Sequence, residues 1–284
     1  MAVPASASHP KLQRGARGAE VKELQTLLNR TGALLVCDGA FGPGTEGALR
    51  EAQQIGGLPV TGAADAATWD WLEEQPEPSQ IMPTEAVTFI VREEVGSRPY
   101  YERHAAMPHF PGGASGVTIG VGYDLRFQEA DDFEADWGDV LPAHSMAALR
   151  PYLGKKGSKA AVAELEQLRI PFRDAWKVFA ARVLPRFVQQ TEDRYGDLEA
   201  LPPLCRGALV SLVYNRGPGI SGDTRREMKA IRDHIRDDRL EQVAAEFESM
   251  KRLWRGSSGE GLRKRREKEA EMWRRGLAGQ GGVV

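Results

Sequence analysis

One stretch near the middle of the chain combines reactive side chains with bare backbone. Residues 111–124 are Pro-Gly-Gly-Ala-Ser-Gly-Val-Thr-Ile-Gly-Val-Gly-Tyr-Asp, where a Gly-rich turn leads into an alternating run typical of a strand. Since strand side chains alternate, Thr118 and Asp124 would share one face with two glycines, and Val117 and Tyr123 would face the other way. The glycines would let a large ligand lie against the main chain. The alternative is an edge strand that is weakened by its glycines and binds no ligand, and this stretch alone does not decide between the two.

Two glutamates end the apolar segment that precedes this strand. Residues 86–95 are mostly apolar, Glu93 and Glu94 lie near their end, and the aromatic Tyr100 and Tyr101 follow. A partly desolvated carboxyl group stays protonated near neutral pH and can act as a general acid. We therefore expect one of the two glutamates to be a general acid, and a surface glutamate at a helix end is the alternative.

Length and composition set broad limits on the function. A chain of 284 residues favours two domains, and 41% hydrophobic residues are enough for packed cores. The net charge of −2 and the pI near 6.3 argue against nucleic acid as the main partner. No apolar run approaches membrane-spanning length, and the N-terminus lacks the apolar segment of a signal peptide. We expect a monomer without integral membrane association.

The cysteines and histidines show no metal-binding pattern. Cys37 and Cys205 lie far apart in apolar surroundings, so we expect buried free thiols rather than a disulfide. No H-x-H or H-E-x-x-H spacing occurs, which disfavours zinc peptidase chemistry. The histidines considered are His104, His109, His144 and His234. The sequence therefore predicts neither a metal nor an organic cofactor.

The chain divides by composition into five segments. Residues 1–10 resemble a disordered leader, and residues 75–83 form a Pro-rich spacer between a domain at 11–74 and another at 84–278. Residues 279–284 would be a tail. In the first domain, periodic apolar residues after two glycines predict a helix, Thr45 opens a second, and Trp69 lies in a third.

The first domain resembles the type 1 peptidoglycan-binding domain, a small three-helix module, along nearly its whole length. The matching positions are Leu12, Gly15, Gly18, Val21, Leu24, Gln25, Leu28, Asp38, Gly39, Phe41, Gly42, Thr45, Ala48, Gln53, Gly57, Leu58, Gly62, Thr68, Trp69 and Leu72. Most of these are core or turn residues. The resemblance implies binding of peptidoglycan, through either its glycan or its stem peptide.

The second domain resembles the phage-type lysozymes, glycoside hydrolase family 24, in three ordered blocks. These are a glutamate ahead of T-I-G-x-G, then Ala-Leu-Val-Ser-Leu-Val-Tyr-Asn-Arg-Gly at 208–217, and Gly-Leu-Arg-Lys-Arg-Arg-Glu-Lys-Glu-Ala at 261–270. We predict a mainly α chain in which the three-helix module is linked to an α+β lysozyme-like domain with a small β-hairpin. Its later helices are predicted at 144–152, 158–167, 172–194, 203–215, 223–235, 238–253 and 260–275.

The resemblance implies which residues act on a sugar. Glu94, in the context Glu-Val-Gly-Ser followed by two tyrosines, best resembles the family's general acid, with Glu93 as its competitor. Thr118 matches the threonine of T-I-G-x-G, whose hydroxyl can orient a water or a sugar hydroxyl. A threonine placed there for its strand propensity is the alternative.

One position departs from the family. An aspartate usually follows the glutamate by nine residues, and Arg103 stands there in this chain. Asp124 is the candidate replacement, in an arrangement that resembles the branch containing the bacteriocin pesticin. In a straight strand Thr118 and Asp124 would be roughly 20 Å apart, so Asp124 can contribute only if the glycines bend the chain back.

Tyr123, Asn215 and Arg216 are predicted to contact the substrate, the latter two by their place before Gly217 in the family pattern. A cap at the end of a buried helix is the alternative for this polar pair. Two charged stretches, the acidic residues 127–137 and the basic residues 263–275, are predicted to be solvated faces or loops.

Together these features predict a peptidoglycan hydrolase, an N-acetylmuramidase that cleaves the β-1,4 bond from N-acetylmuramic acid to N-acetylglucosamine. A lytic transglycosylase and a wall-binding protein with an inactive catalytic domain are the alternatives. Such an enzyme would be made in the cytoplasm and reach the wall through a holin or a secretion system.

Overall fold

The computed structural model describes residues 9–280, so most of the predicted leader (1–8) and the end of the predicted tail (281–284) lie outside the described residues. Within this range the chain is mainly helical with one two-stranded antiparallel hairpin, which confirms the predicted fold class. The helices are α1 (Ala19–Arg30), α2 (Pro43–Ile55), α3 (Ala66–Glu73), α4 (Thr84–Val95), α5 (Arg98–His104), α6 (Ala130–Trp137), α7 (Ala143–Leu149), α8 (Lys159–Ala163), α9 (Phe172–Val178), α10 (Leu184–Tyr195), α11 (Pro203–Arg216), α12 (Arg226–Arg236), α13 (Val243–Ser249) and α14 (Glu260–Gln280).

Two compact units make up this structure. The first comprises the described residues up to Pro78 together with Glu94–Trp176, and the second comprises Ser79–Glu93 together with the described residues from Lys177 onward. Helix α4 supplies its last residues to the first unit and the rest to the second. The predicted domain bounds at 74 and 84 stay a prediction.

The N-terminal three helices of the first unit enclose a small apolar core. Helix α1 starts after Gly18, whose φ of 125° few other residues adopt, and α2 starts with Pro43 in its first turn. Asp65 caps α3 by accepting from the amide of Thr68 at 3.0 Å. The core side chains include Val21, Leu24, Leu28, Phe41, Leu49, Trp69 and Leu72.

Two buried glutamines on the helices of this module form hydrogen bonds with its turns. The amide group of Gln25 donates to the Asp38 carboxylate at 2.9 Å, and its oxygen accepts from Gly39 at 2.9 Å. Gln53, which is fully buried, donates to the carbonyl of Ala63 at 2.9 Å and accepts from Gly62 at 3.0 Å. Each glutamine thus replaces the water that a turn would otherwise need.

Residues at the end of the predicted leader belong to this module. The ring of His9 stacks on Trp69 with centroids 4.2 Å apart, and the indole N–H of Trp69 donates to the carbonyl of Pro10 at 3.1 Å. The prediction that the leader extends to residue 10 was therefore wrong, because these contacts hold its last two residues on the helices.

The predicted strand after Val117 is a hairpin. Strand β1 (Thr118–Ile119) pairs with β2 (Tyr123–Asp124) across a turn in which Gly120 and Gly122 have φ of 56° and 65°. Positive φ is accessible to glycine at little cost, so these two residues reverse the chain within three positions. The straight strand considered above is thereby excluded.

The acidic stretch after the hairpin forms helix α6 rather than a loop. Its apolar side chains Phe133 and Trp137 are buried, and the ring of Trp137 meets Tyr123 edge to face at 5.6 Å. Asp136 is also buried and accepts from the Tyr123 hydroxyl at 2.9 Å. The other acids of this stretch, Glu129, Asp131, Asp132 and Glu134, are exposed, as predicted for a solvated face, while the apolar residues between them are buried at helical spacing.

The second unit is built on the apolar helix α11, which packs against α14. Gly207 of α11 lies so close to α4 that an added Cβ would approach the Cβ of Ala86 to 2.2 Å, so a larger residue would separate the helices. Cys205 is a free, buried thiol that donates to the carbonyl of Trp273 at 3.3 Å, and burial raises its pKa to about 12. Cys37 likewise forms no disulfide, and it is only partly buried.

The basic stretch of α14 contains a buried ionic cluster in the second unit. Glu269 is fully buried and accepts from the Ser211 hydroxyl at 2.6 Å and from Arg266 at 2.8 Å, and Arg265 is buried beside it. Burial raises the pKa of Glu269 and lowers that of Arg266, whereas their ion pair opposes both shifts. The predicted solvated face is therefore only part of this helix.

Candidate active site

A cleft of about 430 Å³ lies within the first unit and brings three predicted residues together. Among its lining residues are Glu94, Tyr100, His104, His109, Thr118 and Asp124. The glutamate comes from the end of α4, the tyrosine and one histidine from α5, and the others from the hairpin and the segment before it. The apolar helix α4, the short helix α5 and the hairpin thus contribute side chains to one concave surface.

Glu94 lines this cleft and is exposed to solvent. Glu93, one residue earlier, points about 100° away on the helix. Its carboxylate is mostly buried and accepts from the ammonium group of Lys268 at 2.6 Å in the second unit. The geometry therefore places Glu94, and not Glu93, at the cleft, and the choice between them as general acid stays a prediction. The partly buried carboxyl group expected at this position is not observed, since Glu94 is exposed.

The hairpin places Thr118 directly opposite Asp124. A backbone bond of 2.9 Å from Leu125 to Val117 flanks this pair, so it is a non-hydrogen-bonded pair with Cα atoms about 4.5 Å apart. The two side chains lie on the same face. The hairpin turn thus brings Asp124 beside Thr118, a position that a replacement carboxylate would need.

Two backbone amides hold the Asp124 carboxylate in place. Gly116 donates to its two oxygens at 2.9 and 3.1 Å, and Arg126 donates to Oδ1 at 2.9 Å. A Cβ on Gly116 would approach Oδ1 to 2.6 Å, so a side chain there would displace the carboxylate. Oδ1 is therefore fully occupied by the loop, and Oδ2 keeps more of its acceptor capacity.

Thr118 is buried, and its hydroxyl has no hydrogen-bond partner among the described residues. Its main-chain groups are satisfied, because Thr118 and His109 exchange backbone bonds of 2.8 and 3.0 Å. An unsatisfied buried hydroxyl lowers the free energy of unfolding by about 1–3 kcal/mol. If stability were the only requirement at this position, valine would be the better residue. The hydroxyl fits a group kept for a bound molecule.

Sequence reasoning missed two histidines of the cleft. His104 lies one helical turn after Tyr100 on α5, with the rings 4.5 Å apart. His109 is half-buried, and burial lowers its pKa, while the carbonyl of Met107 and the charge of Asp124 act in the opposite direction. No motif marks His109, because its pairing with Thr118 depends on the path of the intervening loop.

Tyr123 does not line the cleft. Its side chain is buried, and its hydroxyl bonds to Asp136 on the opposite side of the hairpin. The alternation of strand side chains explains this placement, since neighbours of Asp124 must face away from it. The prediction that Tyr123 contacts the substrate is therefore corrected to a role in the core.

Asn215 and Arg216 lie in the second unit, at the end of α11. The guanidinium of Arg216 is 5.1 Å from the ring centre of Trp254 and donates to the carbonyl of Thr224 at 2.6 Å. Burial, with several neighbouring arginines, lowers its pKa to about 10. Arg216 thus bonds to the short 3-10 helix Asp223–Arg225, and the predicted contact with substrate stays a prediction.

Two further properties concern the described residues as a group. No cluster of three or more His, Cys, Asp or Glu side chains in residues 9–280 is arranged to hold a metal ion. None of the helices in that range combines the length and the apolar character needed to cross a membrane.

Comparison with known families identifies the two parts of the chain separately. Residues 17–72 match the family model PG_binding_1, described as "Putative peptidoglycan binding domain". Residues 85–266, more than half of the chain, match a family described as "Domain of unknown function (DUF8812)". The chain therefore belongs to the DUF8812 family. The phage-type lysozyme family that the sequence resembles is not the family that this match gives.

Individual relatives match the chain less completely. Two sequences of the spore cortex-lytic enzyme of Bacillus cereus are each 48% identical over 62 residues, which is 22% of this chain and 24% of that enzyme. The chain thus spans about a quarter of the length of these curated relatives. The crystal structure of a Burkholderia AP3 phage endolysin aligns with 94% of this chain and 100% of that chain at 20% identity, with a TM-score of 0.23.

Proposed function

We propose that this protein is a peptidoglycan hydrolase, an N-acetylmuramidase that cleaves the β-1,4 bond from N-acetylmuramic acid to N-acetylglucosamine. The observation that carries the proposal is the convergence of Glu94, Thr118 and Asp124 on one cleft. The match of residues 17–72 to a peptidoglycan binding domain supports the bacterial wall as the polymer that is bound.

In this reaction Glu94 donates a proton to the glycosidic oxygen while the bond to the anomeric carbon breaks. Thr118 and Asp124 place the water that attacks that carbon. Inverting glycosidases need roughly 6.5–9.5 Å between two carboxyl groups to admit such a water. A sugar bound over the exposed Glu94 would remove water from its carboxyl group and favour the protonated form.

The N-terminal module would hold the enzyme on its polymeric substrate. A tethered binding domain raises the effective concentration of the catalytic site near each new bond. The place of action would be the cell wall, reached through a holin or a secretion system, and the partner would be peptidoglycan itself.

Two observations favour other activities and define what a test must separate. The Asp124 carboxylate already accepts from two backbone amides, which would suit a structural role and leave Glu94 alone, as in a lytic transglycosylase. Arg103 stands where the lysozyme resemblance places an aspartate, which would suit a wall-binding protein without activity.

The test is digestion of purified sacculi by the wild type, Glu94→Gln and Asp124→Asn, with mass analysis of the released fragments. We expect products with reducing-end muramic acid, and a loss of about 10²-fold or more in both variants, since a positioned acid contributes that much. Glu93→Gln serves as the neighbouring control.

Other results would replace the proposal. Anhydromuramic products from an active Asp124→Asn would make the protein a lytic transglycosylase. Sacculi that are bound without release of sugar ends would make it a binding protein. Full activity of Glu94→Gln together with loss in Glu93→Gln would transfer the acid role to Glu93.

A further inference from the structure

His109, Thr118 and Asp124 form a row across three neighbouring backbone segments. His109 and Thr118 exchange both of their backbone hydrogen bonds, which defines a hydrogen-bonded pair with Cα atoms about 5.5 Å apart. Thr118 faces Asp124 on its other side in the hairpin register. Directly opposed residues in antiparallel pairs project to the same face, so all three side chains line the cleft.

The middle member of this row is the hydroxyl without a partner. A water seated on the Thr118 hydroxyl would lie between the imidazole on one side and the carboxylate on the other. Both can accept a hydrogen bond, and they differ in what else they bind. Asp124 is already held by two amides, whereas the His109 imidazole bonds to the carbonyl of Met107 and its Nδ1 has no hydrogen-bond partner among the described residues.

We propose that His109 is a further catalytic residue, which takes a proton from the water that attacks the sugar. This inference rests on the proposed hydrolase function. Asp124 then orients the same water through Oδ2 and offsets the positive charge that forms on the imidazole. The sequence resemblance assigns no role to His109, and Arg103 leaves this cleft without the carboxylate that usually serves the water.

The step is balanced without another reactant. Glu94 gives its proton to the leaving glycosidic oxygen as the bond to the anomeric carbon breaks. The water oxygen bonds to that carbon, and one of the water protons passes to the His109 imidazole. The imidazolium afterwards releases this proton to solvent, and the Glu94 carboxylate regains one, so both groups return to their starting states.

Electrostatics at the row suit this role. Burial is the largest influence on the imidazole and lowers its pKa below the ordinary value, so His109 is neutral at neutral pH and can accept a proton. The other titratable groups lining the cleft are Glu94, Tyr100, His104 and Asp124. Activity should therefore fall as the pH drops through the pKa of His109, because the protonated imidazole cannot act as a base.

The test compares His109→Gln with the wild type in the rate of release of reducing ends from sacculi as a function of pH. Glutamine keeps a polar group of similar reach but cannot take up the proton. We expect kcat to fall about 10²-fold with KM nearly unchanged, and the part of the decline toward low pH that follows protonation of His109 to disappear. His144→Gln, an exposed histidine of the same unit outside this cleft, is the matched control and should keep the wild-type profile.

The outcomes separate this inference from the function on which it rests. A wild type that releases no sugar ends would remove the proposed function itself. An active wild type, an inactive Glu94→Gln and a His109→Gln with unchanged kcat and pH profile would overturn the role of His109 alone. If circular dichroism shows that His109→Gln does not fold, His109→Asn replaces it, and a wild-type rate that does not fall at low pH overturns the proposal without any variant.

Discussion

The two buried glutamines of the N-terminal helices are hydrogen-bonded within their module, whereas the buried Thr118 hydroxyl at the cleft has no partner among the described residues. Gln53 makes hydrogen bonds with two threonine hydroxyls, one carbonyl and one amide, all within its own module. Thr118, equally buried, makes none through its hydroxyl among the described residues. The first arrangement stabilises a fold, and the second leaves binding capacity for another molecule. The two regions thus differ in whether a buried polar group bonds to the protein itself or remains available to a ligand.

The largest effect should follow from breaking the satisfied region. Gln53→Leu removes the partner of the Gly62 amide and of several acceptors, so we expect a loss of about 2–3 kcal/mol in the free energy of unfolding. Urea denaturation of the full chain measures it. Gln54→Leu, the exposed neighbour on the same helix, should change stability by less than about 0.5 kcal/mol. Equal effects of the two substitutions would mean that the buried bonds add no stability.

A smaller effect, of the opposite kind, is expected at the cleft. Thr118→Val keeps the shape of the side chain and removes only the hydroxyl, so stability should stay the same or rise slightly. The rate of sugar release from sacculi should nevertheless fall about tenfold, which corresponds to roughly 1.4 kcal/mol. A stable variant with full activity would show that the hydroxyl has no part in catalysis, and a destabilised one would show that it is satisfied in solution.

The smallest effect should come from the glutamate beside the acid. Glu93→Gln breaks an ion pair with Lys268, whose side chain is mostly exposed, so we expect a change below about 1 kcal/mol in stability. Its rate on sacculi should stay within about twofold of the wild type, since Glu93 is not among the residues lining the cleft. A loss comparable to that of Glu94→Gln would remove the distinction between the two carboxylates.

The sequence predicted those features that depend on local pattern. Apolar periodicity located α11 almost to the residue, and glycines with a threonine located the hairpin. It did not predict that Arg266 and Glu269 would be buried, because each looks like a surface charge until its partner is known. His109 escaped for a related reason, since only the path of the chain around the loop places it beside Thr118.

Asp124 illustrates an intermediate case. The sequence showed a carboxylate at this position. Whether that carboxylate lies near Thr118 depended on whether the glycines turn the chain. Gly120 and Gly122 both have positive φ. Glycine adopts positive and negative φ about equally well, so the sequence alone does not determine this conformation. The amides of Gly116 and Arg126 that hold the carboxylate come from loop geometry, for which side-chain patterns give no information.

The transverse row of His109, Thr118 and Asp124 has a consequence for how such a site can evolve. Main-chain hydrogen bonds set the spacing between its members, so the side chains of His109 and Thr118 can be exchanged with little effect on the backbone of the row, whereas Asp124 also holds two loop amides. An imidazole and a hydroxyl are then exchangeable at two positions of a fixed backbone, and the carboxylate is the member that the loop requires. Under the proposed function, single substitutions at His109 or Thr118 would change the group beside the attacking water while the fold is kept.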